Sequence, residues 1–436
     1  MSYFHSVTLD TDKCQGCTNC IKRCPTEAIR VRGGKAKIIK ERCIDCGECI
    51  RVCPYHAKLA VTDSFAMLND YEYNIALPAP SLYGQFKNTE GANVILTGLE
   101  EIGFDSVFEV ARGAEAVSAI TRRLLQEGAL QSPVISSACP AVVRLIKVRF
   151  PNLIGNILNL LSPMEVAAMM ARREATEKTG LPNEKIGVFF ITPCPAKVTS
   201  IKAPLALEQS NVSGAISANE ICAKLLPVLK NITQPKPLSV AGMEGVSWAR
   251  SGGECEGTDT MQYIAVDGID NVMNILEQIE DEKLDDVDFV ELSACLGGCV
   301  GGVLNITNSF VTTTRLKHIT SELPKRQESC SVALEDALFR TPIEHEPVMK
   351  LDEDFAVAMQ KMEQMDALYE SMPKLDCGSC GAPSCKALAE DIVRGFGNEN
   401  DCIFKMRERV RELAKELFDL EARPYGLNNQ KEDEDL

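Results

Sequence analysis

No run of eighteen or more apolar residues occurs in this 436-residue chain, so nothing in it reads as a membrane span. The opening "MSYFHSVTLDTDKC" has no basic stretch followed by an apolar one. No secretory signal is therefore expected, and the expected compartment is the cytoplasm. Positive charge is in deficit: 46 Lys and Arg against 62 Asp and Glu give −16, which argues against nucleic acid as partner. The four histidines stand at no ligand spacing from one another, and the single tryptophan, Trp248, is read as packing.

What the chain has in excess is cysteine. Nineteen are too many for an inert cytosolic protein, and they fall in clusters of two to four rather than in the spread of a disulfide scaffold. That is the distribution of thiolate metal ligands. At this length more than one core is expected. Residues 10–62 contain an internal repeat, "CQGCTNCIKRCP" and "CIDCGECIRVCP", both C-x2-C-x2-C-x3-C-P. From about 74 to 320 strand-like and helix-like segments alternate, an α/β signature. "PVISSACP", "KIGVFFITPCP" and "VDFVELSAC" are apolar runs that each end in a cysteine. "SPME" (162–165) and "SANE" (217–220) predict capping boxes, with Ser at the N-cap and Glu at the third helical position.

The duplicated run matches the bacterial ferredoxin pattern, in which the last cysteine of each run ligates the other cluster. Cys14, Cys17, Cys20 and Cys53 are then one 4Fe–4S ligand set, and Cys43, Cys46, Cys49 and Cys24 the second. The first 63 residues carry eleven Lys/Arg against seven Asp/Glu, a surplus that two anionic clusters would cancel. Cys377, Cys380, Cys385 and Cys402, spaced C-x2-C-x4-C-x16-C, suit a 4Fe–4S cluster or a structural zinc equally well. "CGSCGAPSC" followed by a helix resembles the small iron–sulfur module of corrinoid iron–sulfur proteins and some membrane electron-transfer complexes, which favours the cluster. Cys222 reads as core, and Cys255 and Cys330 as loop residues without a role.

Cys139 in "SSACP", Cys194 in "TPCPAK", and Cys295 and Cys299 in "ELSACLGGCVGG" remain. In an open α/β sheet, ligands gather beyond the carboxyl ends of the strands, where these segments lie. In this order the segments resemble the signature segments of FeFe hydrogenases, over residues 1 to about 320. The resemblance implies an α/β core of two lobes with parallel sheets around a cofactor cleft. It also implies an N-terminal α+β bacterial-type ferredoxin module, and a small helical C-terminal iron–sulfur module stands beside these. The expected division is 1–63 ferredoxin-like, 64–320 hydrogenase-like, 321–350 connecting, 351–425 helical with a 4Fe–4S cluster, and 426–436 an acidic tail.

By the same resemblance, these four cysteines hold a cubane. Cys299 also bridges to a diiron subcluster carrying CO, CN and azadithiolate. Four 4Fe–4S clusters are then expected in all. Lys197 donates to a cyanide, Ser162 and Pro163 line the pocket, and Gly297, Gly298, Gly301 and Gly302 let backbone approach the cofactor. The implied activity is reversible H2 oxidation. The implied partners are an electron carrier such as ferredoxin, or a redox-responsive signalling partner, and hydrogenase maturation proteins, with no nucleic acid and no membrane.

The chain departs from the family where protons travel. Ala138 stands where catalytic members carry a relay cysteine, and Ile120 and Thr121 stand where they carry carboxylates. Thr192 and Ser293 replace two methionines. Retained ligands with a stripped proton path resemble the sensory hydrogenases, which turn over slowly. Two alternatives stay open: an ordinary ferredoxin-linked hydrogenase with another proton route, and a non-enzymatic iron–sulfur relative lacking the diiron unit.

Overall fold

The computed structural model describes residues 4–87, 91–128, 130–325 and 332–421. Cys330 and the acidic tail lie outside them. The chain divides into two compact units, one of residues 1–29 and 34–349, the other of 30–33 and 350–436. No helix among the described residues is long and apolar enough to cross a membrane.

In the first unit, β1 (Val7–Leu9) pairs antiparallel with β4 (Lys58–Ala60), closing the segment that carries the two cysteine runs. The short strands β2 (Ile29–Arg32) and β3 (Lys35–Ile38) fall between the runs. Two parallel sheets follow. The larger is built from β5 (Tyr73–Pro78), β6 (Ser106–Val107), β8 (Ile186–Thr192) and β9 (Gly214–Ser217), in the order β6-β5-β8-β9. The smaller runs β10-β11-β7, from β10 (Tyr263–Asp267), β11 (Phe289–Ser293) and β7 (Val134–Ile135). Strand β8 reads "IGVFFIT" and is buried throughout, as a central parallel strand covered on both faces must be. Phe189 at its centre is fully buried, with Tyr71 edge-on at 5.6 Å and Phe104 at 6.3 Å.

Neither expected capping box forms. Ser162 and Ser217 flank their helices without a side-chain cap bond. Glu165 instead accepts from Ser210 Oγ at 2.6 Å and from the Asn211 amide at 2.9 Å, and Ser217 Oγ lies 2.5 Å from Asn219 Oδ1. At Glu165 tertiary partners outcompete the local cap, whereas Ser217 bonds a neighbour two residues on. Segment 321–350 is also more than a connector. The helix Leu334–Ala337 buries Ala337, Leu338 bridges to Leu160, and the Arg340 amide donates to Ala206 O at 2.8 Å. Cys222 and Cys255 are both buried, the latter in a 3-10 turn rather than an open loop.

The second unit is helical over Phe355–Ser371, Cys385–Val393 and Ile403–Glu421. Met365, Met372, Ala382, Leu388 and the thiols of Cys385 and Cys402 form its small core. The Asp391 carboxylate is held by Arg30 at 2.7 Å and Arg32 at 2.8 Å, both residues of this unit.

The glycine-rich turn after β11 crosses the loop after β8 so closely that only glycine fits. A Cβ on Gly302 would lie 2.3 Å from Pro193 O, and one on Gly301 would lie 2.0 Å from Leu296 O. Gly302→Ala must push the two segments apart, at a cost of about 1–3 kcal/mol. A lowered unfolding midpoint in a denaturant titration is the expected result, and an unchanged one shows that the crossing can relax.

Candidate functional site

Three strand ends deliver the central thiols. Cys139 and Cys194 each sit at a helix N-cap with proline at the first helical position, Pro140 and Pro195. Proline supplies no amide there and starts the helix with its fixed φ, so the cysteine is held at the helix mouth, where negative charge is favoured. Cys295 and Cys299 flank the turn after β11. All four line one pocket between the carboxyl ends of the two sheets.

Burial, together with the charge of the other cysteines, pushes Cys194 up to about 11 and Cys295 well above the ordinary thiol value. Cys299 rises to about 12 through burial and then through Cys194 and Cys139. Its surface toward the open pocket is exposed, so crowding is the firmer of the two causes there. Thiols raised this far stay protonated at neutral pH unless a cationic core lies among them, and coordination to such a core removes the proton outright. The donor set fits an iron–sulfur cubane.

Around the thiols, Lys197 donates to Ala138 O at 2.9 Å and is almost fully buried. Pro163, Gly298, Gly302, Ala138 and Ser293 line the pocket. Ser162 lies on an adjoining hollow with Ser137, Ala138 and Lys197, and Gly297 and Gly301 shape the turn without lining the pocket. Arg51, from the second cysteine run, donates to Gly301 O at 2.6 Å and lowers the proton affinity of Cys295.

Sequence reasoning missed several residues here. Met164 lines the pocket, so a methionine is present although Thr192 and Ser293 stand at the two expected positions. Its signal was its place directly after the Ser-Pro pair. Trp248 is more than packing: it lines the pocket while its Nε1 donates to Ser118 Oγ at 2.9 Å. Glu254 and Glu291, both buried, line it as well. Glu291 accepts three backbone amides, from Gly252, Glu254 and Cys255, which oppose the upward push of burial. Glu254 receives one bond, from Ser136 Oγ at 2.6 Å, and burial beside Glu291 raises it to about 8. Glu254 is therefore the protonated member of the pair at neutral pH. Ile120 and Thr121 are buried in the helix Val110–Glu127, where Thr121 bonds back to Val117 O.

The ferredoxin-type cysteines also gather in groups. Cys24, Cys43, Cys46 and Cys49 line one small cavity, where burial and mutual repulsion push Cys43 and Cys46 well up. Cys14 and Cys17 act on Cys20. The repeat recurs in the hydrogen bonds: the Ala28 amide donates to Cys24 Sγ at 3.2 Å, and the Ala57 amide donates to Cys53 Sγ at 3.3 Å. Sulfur accepting from backbone amides suits thiolate ligands. In the second unit, burial raises Cys380, with Cys377 and Cys402 adding to the rise, and the Cys385 amide donates to Asp376 at 2.6 Å. Elsewhere a wider hollow of about 590 Å³ holds Arg172, whose guanidinium is taken up by Ser213 and three backbone carbonyls.

Comparison with known proteins agrees with this geometry. The family model described as iron only hydrogenase large subunit, C-terminal domain, matches residues 72–227 and 227–303. A 4Fe-4S dicluster domain model matches 6–54, and an Fe-S cluster model matches 372–404. The chain is 23% identical over 257 residues to iron hydrogenase 1 of Clostridium pasteurianum, covering 48% of this chain and 44% of that one. It thus spans under half the length of that relative. It is 33% identical over 57 residues to the corrinoid/iron-sulfur protein large subunit of Moorella thermoacetica, 13% of this chain and 12% of that one. A solved structure of a variant of the [FeFe]-hydrogenase HydA1 from Chlamydomonas reinhardtii aligns over 65% of this chain and 98% of that one, at 17% identity and a TM-score of 0.46. With the hydrogenase model matched across more than half of its residues, the chain belongs to the iron only hydrogenase large subunit family.

Proposed function

We propose that the chain binds H2 and oxidises it slowly and reversibly, in a sensory or regulatory role. The observation that supports this best is a pocket gathering Cys139, Cys194, Cys295, Cys299 and Lys197 while presenting the methyl group of Ala138 at the relay position. Cys139, Cys194, Cys295 and Cys299 would hold a cubane, and Cys299 would bridge it to the diiron subcluster with CO, CN and azadithiolate. When bound, that subcluster would supply the chemistry of H2 splitting. Lys197 supplies a buried cation for a cyanide, and Met164, Trp248 and Pro163 exclude water. Ala138 offers neither donor nor acceptor.

Electrons have a short way out. Cys46 packs in the same core as Cys139 and Cys194, so the set Cys24, Cys43, Cys46 and Cys49 is the next station. The set Cys14, Cys17, Cys20 and Cys53 would follow, and a ferredoxin or a redox-responsive signalling partner would receive the electrons. Cys377, Cys380, Cys385 and Cys402 would hold a fourth cubane. Maturation proteins would be needed to supply the diiron unit. Lys197 and the complete glycine-rich turn weigh against a non-enzymatic relative with cubanes alone.

Ser136 and Glu254 favour a second reading, an ordinary hydrogenase with a different proton route. A carboxyl that titrates near 8 in the pocket wall can take a proton and release it at working pH. Its partner Ser136 extends the hydrogen bonds to the Ala138 amide at 3.2 Å.

Metal analysis of protein coexpressed with maturation proteins should give about eighteen irons per chain. Its infrared spectrum should contain CO and cyanide bands that Cys299→Ser removes. Zinc at one per chain, with iron for only three cubanes, would remove the C-terminal cluster from this reading.

Rates at equal cofactor occupancy separate the two readings. With a stripped path, turnover should lie about 10²–10⁴-fold below catalytic relatives, and Ala138→Cys should recover about tenfold or less. If Glu254 carries the proton, Glu254→Gln lowers the rate by a further 10²–10⁴-fold or so while leaving the infrared bands in place. It also abolishes an inflection near pH 8, below which Glu254 is protonated and above which it is ionised. An unchanged rate in Glu254→Gln leaves the slow, sensory reading standing alone.

A further inference from the structure

Lys58 opens β4 and is 2% exposed. The internal repeat sets it against Ile29, since "CPTEAI" and "CPYHAK" align residue for residue, and Ile29 is also 2% exposed. One half of the repeat buries a hydrocarbon where the other buries an ammonium. Lys58 Nζ finds no hydrogen-bond partner among the described residues. A buried charge without partners is costly, and natural chains keep one only where an opposite charge answers it. Lys58 lies within electrostatic reach of Cys20, in one ligand set, and of Cys49, in the other. The amide of its neighbour Ala57 donates to Cys53 Sγ at 3.3 Å. The answering charge therefore belongs between the two sets.

We propose that Lys58 is the shared counter-cation of the two ferredoxin-type clusters and raises the reduction potential of both. The inference rests on the reading of the two cysteine runs as 4Fe–4S ligand sets. A cubane with four thiolates passes from net charge of about −2 to about −3 when it takes up one electron. A fixed positive charge nearby favours the more negative state. Buried as it is, Lys58 acts through little solvent and is weakly screened by salt. Both clusters then become better electron acceptors, and between them they can hold the two electrons that one H2 releases.

The test is an anaerobic redox titration of the full chain, followed by electron paramagnetic resonance, with dithionite and mediators supplying one electron per cluster. Lys58→Met should displace both ferredoxin-type couples to more negative potential by about tenfold or more in the reduction equilibrium, 59 mV for a one-electron couple. Lys58→Arg, which keeps the charge, should stay at the wild-type potentials. If Lys58→Met does not retain iron, Lys58→Gln is titrated in its place. Iron lost from both neutral variants but kept by Lys58→Arg supports the counter-cation. Unmoved potentials in a neutral variant with intact signals overturn the inference alone, and a shift of one couple only overturns the shared role. Absence of both cluster signals from the wild-type chain overturns the cluster reading itself.

Discussion

The structure turns on the crowding of four thiols around one pocket. In the central pocket strand ends, helix-starting prolines and a close backbone crossing bring Cys139, Cys194, Cys295 and Cys299 together. Left to themselves, Cys194, Cys295 and Cys299 resist ionisation, because burial and the charge of neighbouring thiols both disfavour the thiolate. The arrangement gains stability when positive charge enters the middle. Folding and metal loading are then coupled, and the affinity for the core is the repulsion relieved.

The cations around the pocket are few: Lys197 is buried, and the Arg51 side chain is 34% exposed. Lys197 faces Cys299 and Glu254, and Arg51 faces Cys295. In a low-dielectric wall such charges act at full strength and need no reorganisation when electrons or protons move. Against them stand Glu254 and Glu291, two carboxyls that cannot both ionise cheaply at close quarters. The backbone decides between them by giving three amides to Glu291 and none of those to Glu254. Two chemically identical side chains are thereby given different proton affinities, Glu254 the higher.

The gathering of the cysteines was legible in the sequence because it is tied to local syntax. The ferredoxin spacing is a repeat, and each central cysteine follows an apolar run that becomes a buried strand or leads into a proline-started helix. Glu254 and Glu291 were not legible. Glu254 lies in the loop "SGGECEG" and Glu291 in the middle of an apolar strand, and nothing in either local pattern says that the two meet. The capping boxes were misread for the same reason. Glu165 has good local grammar, but Ser210 and Asn211 reach it from 45 and 46 residues away. Lys58 was visible only as one more basic residue, since its isolation is a property of packing and not of spacing.

The strand order β10-β11-β7 has a consequence in time. Strand β7 is made early, yet it pairs with β11, more than 150 residues later in the chain. A growing polypeptide can complete the ferredoxin-type segment soon after residue 60, because β1 and β4 close on each other. The smaller sheet cannot form until β11 has left the ribosome, and domains of this size fold as units during synthesis. Cys139 and Cys194 therefore wait, through the synthesis of about 150 and 100 further residues, as thiols with no complete pocket around them. The pocket is thus completed late in synthesis, while the two cysteine runs are in place early.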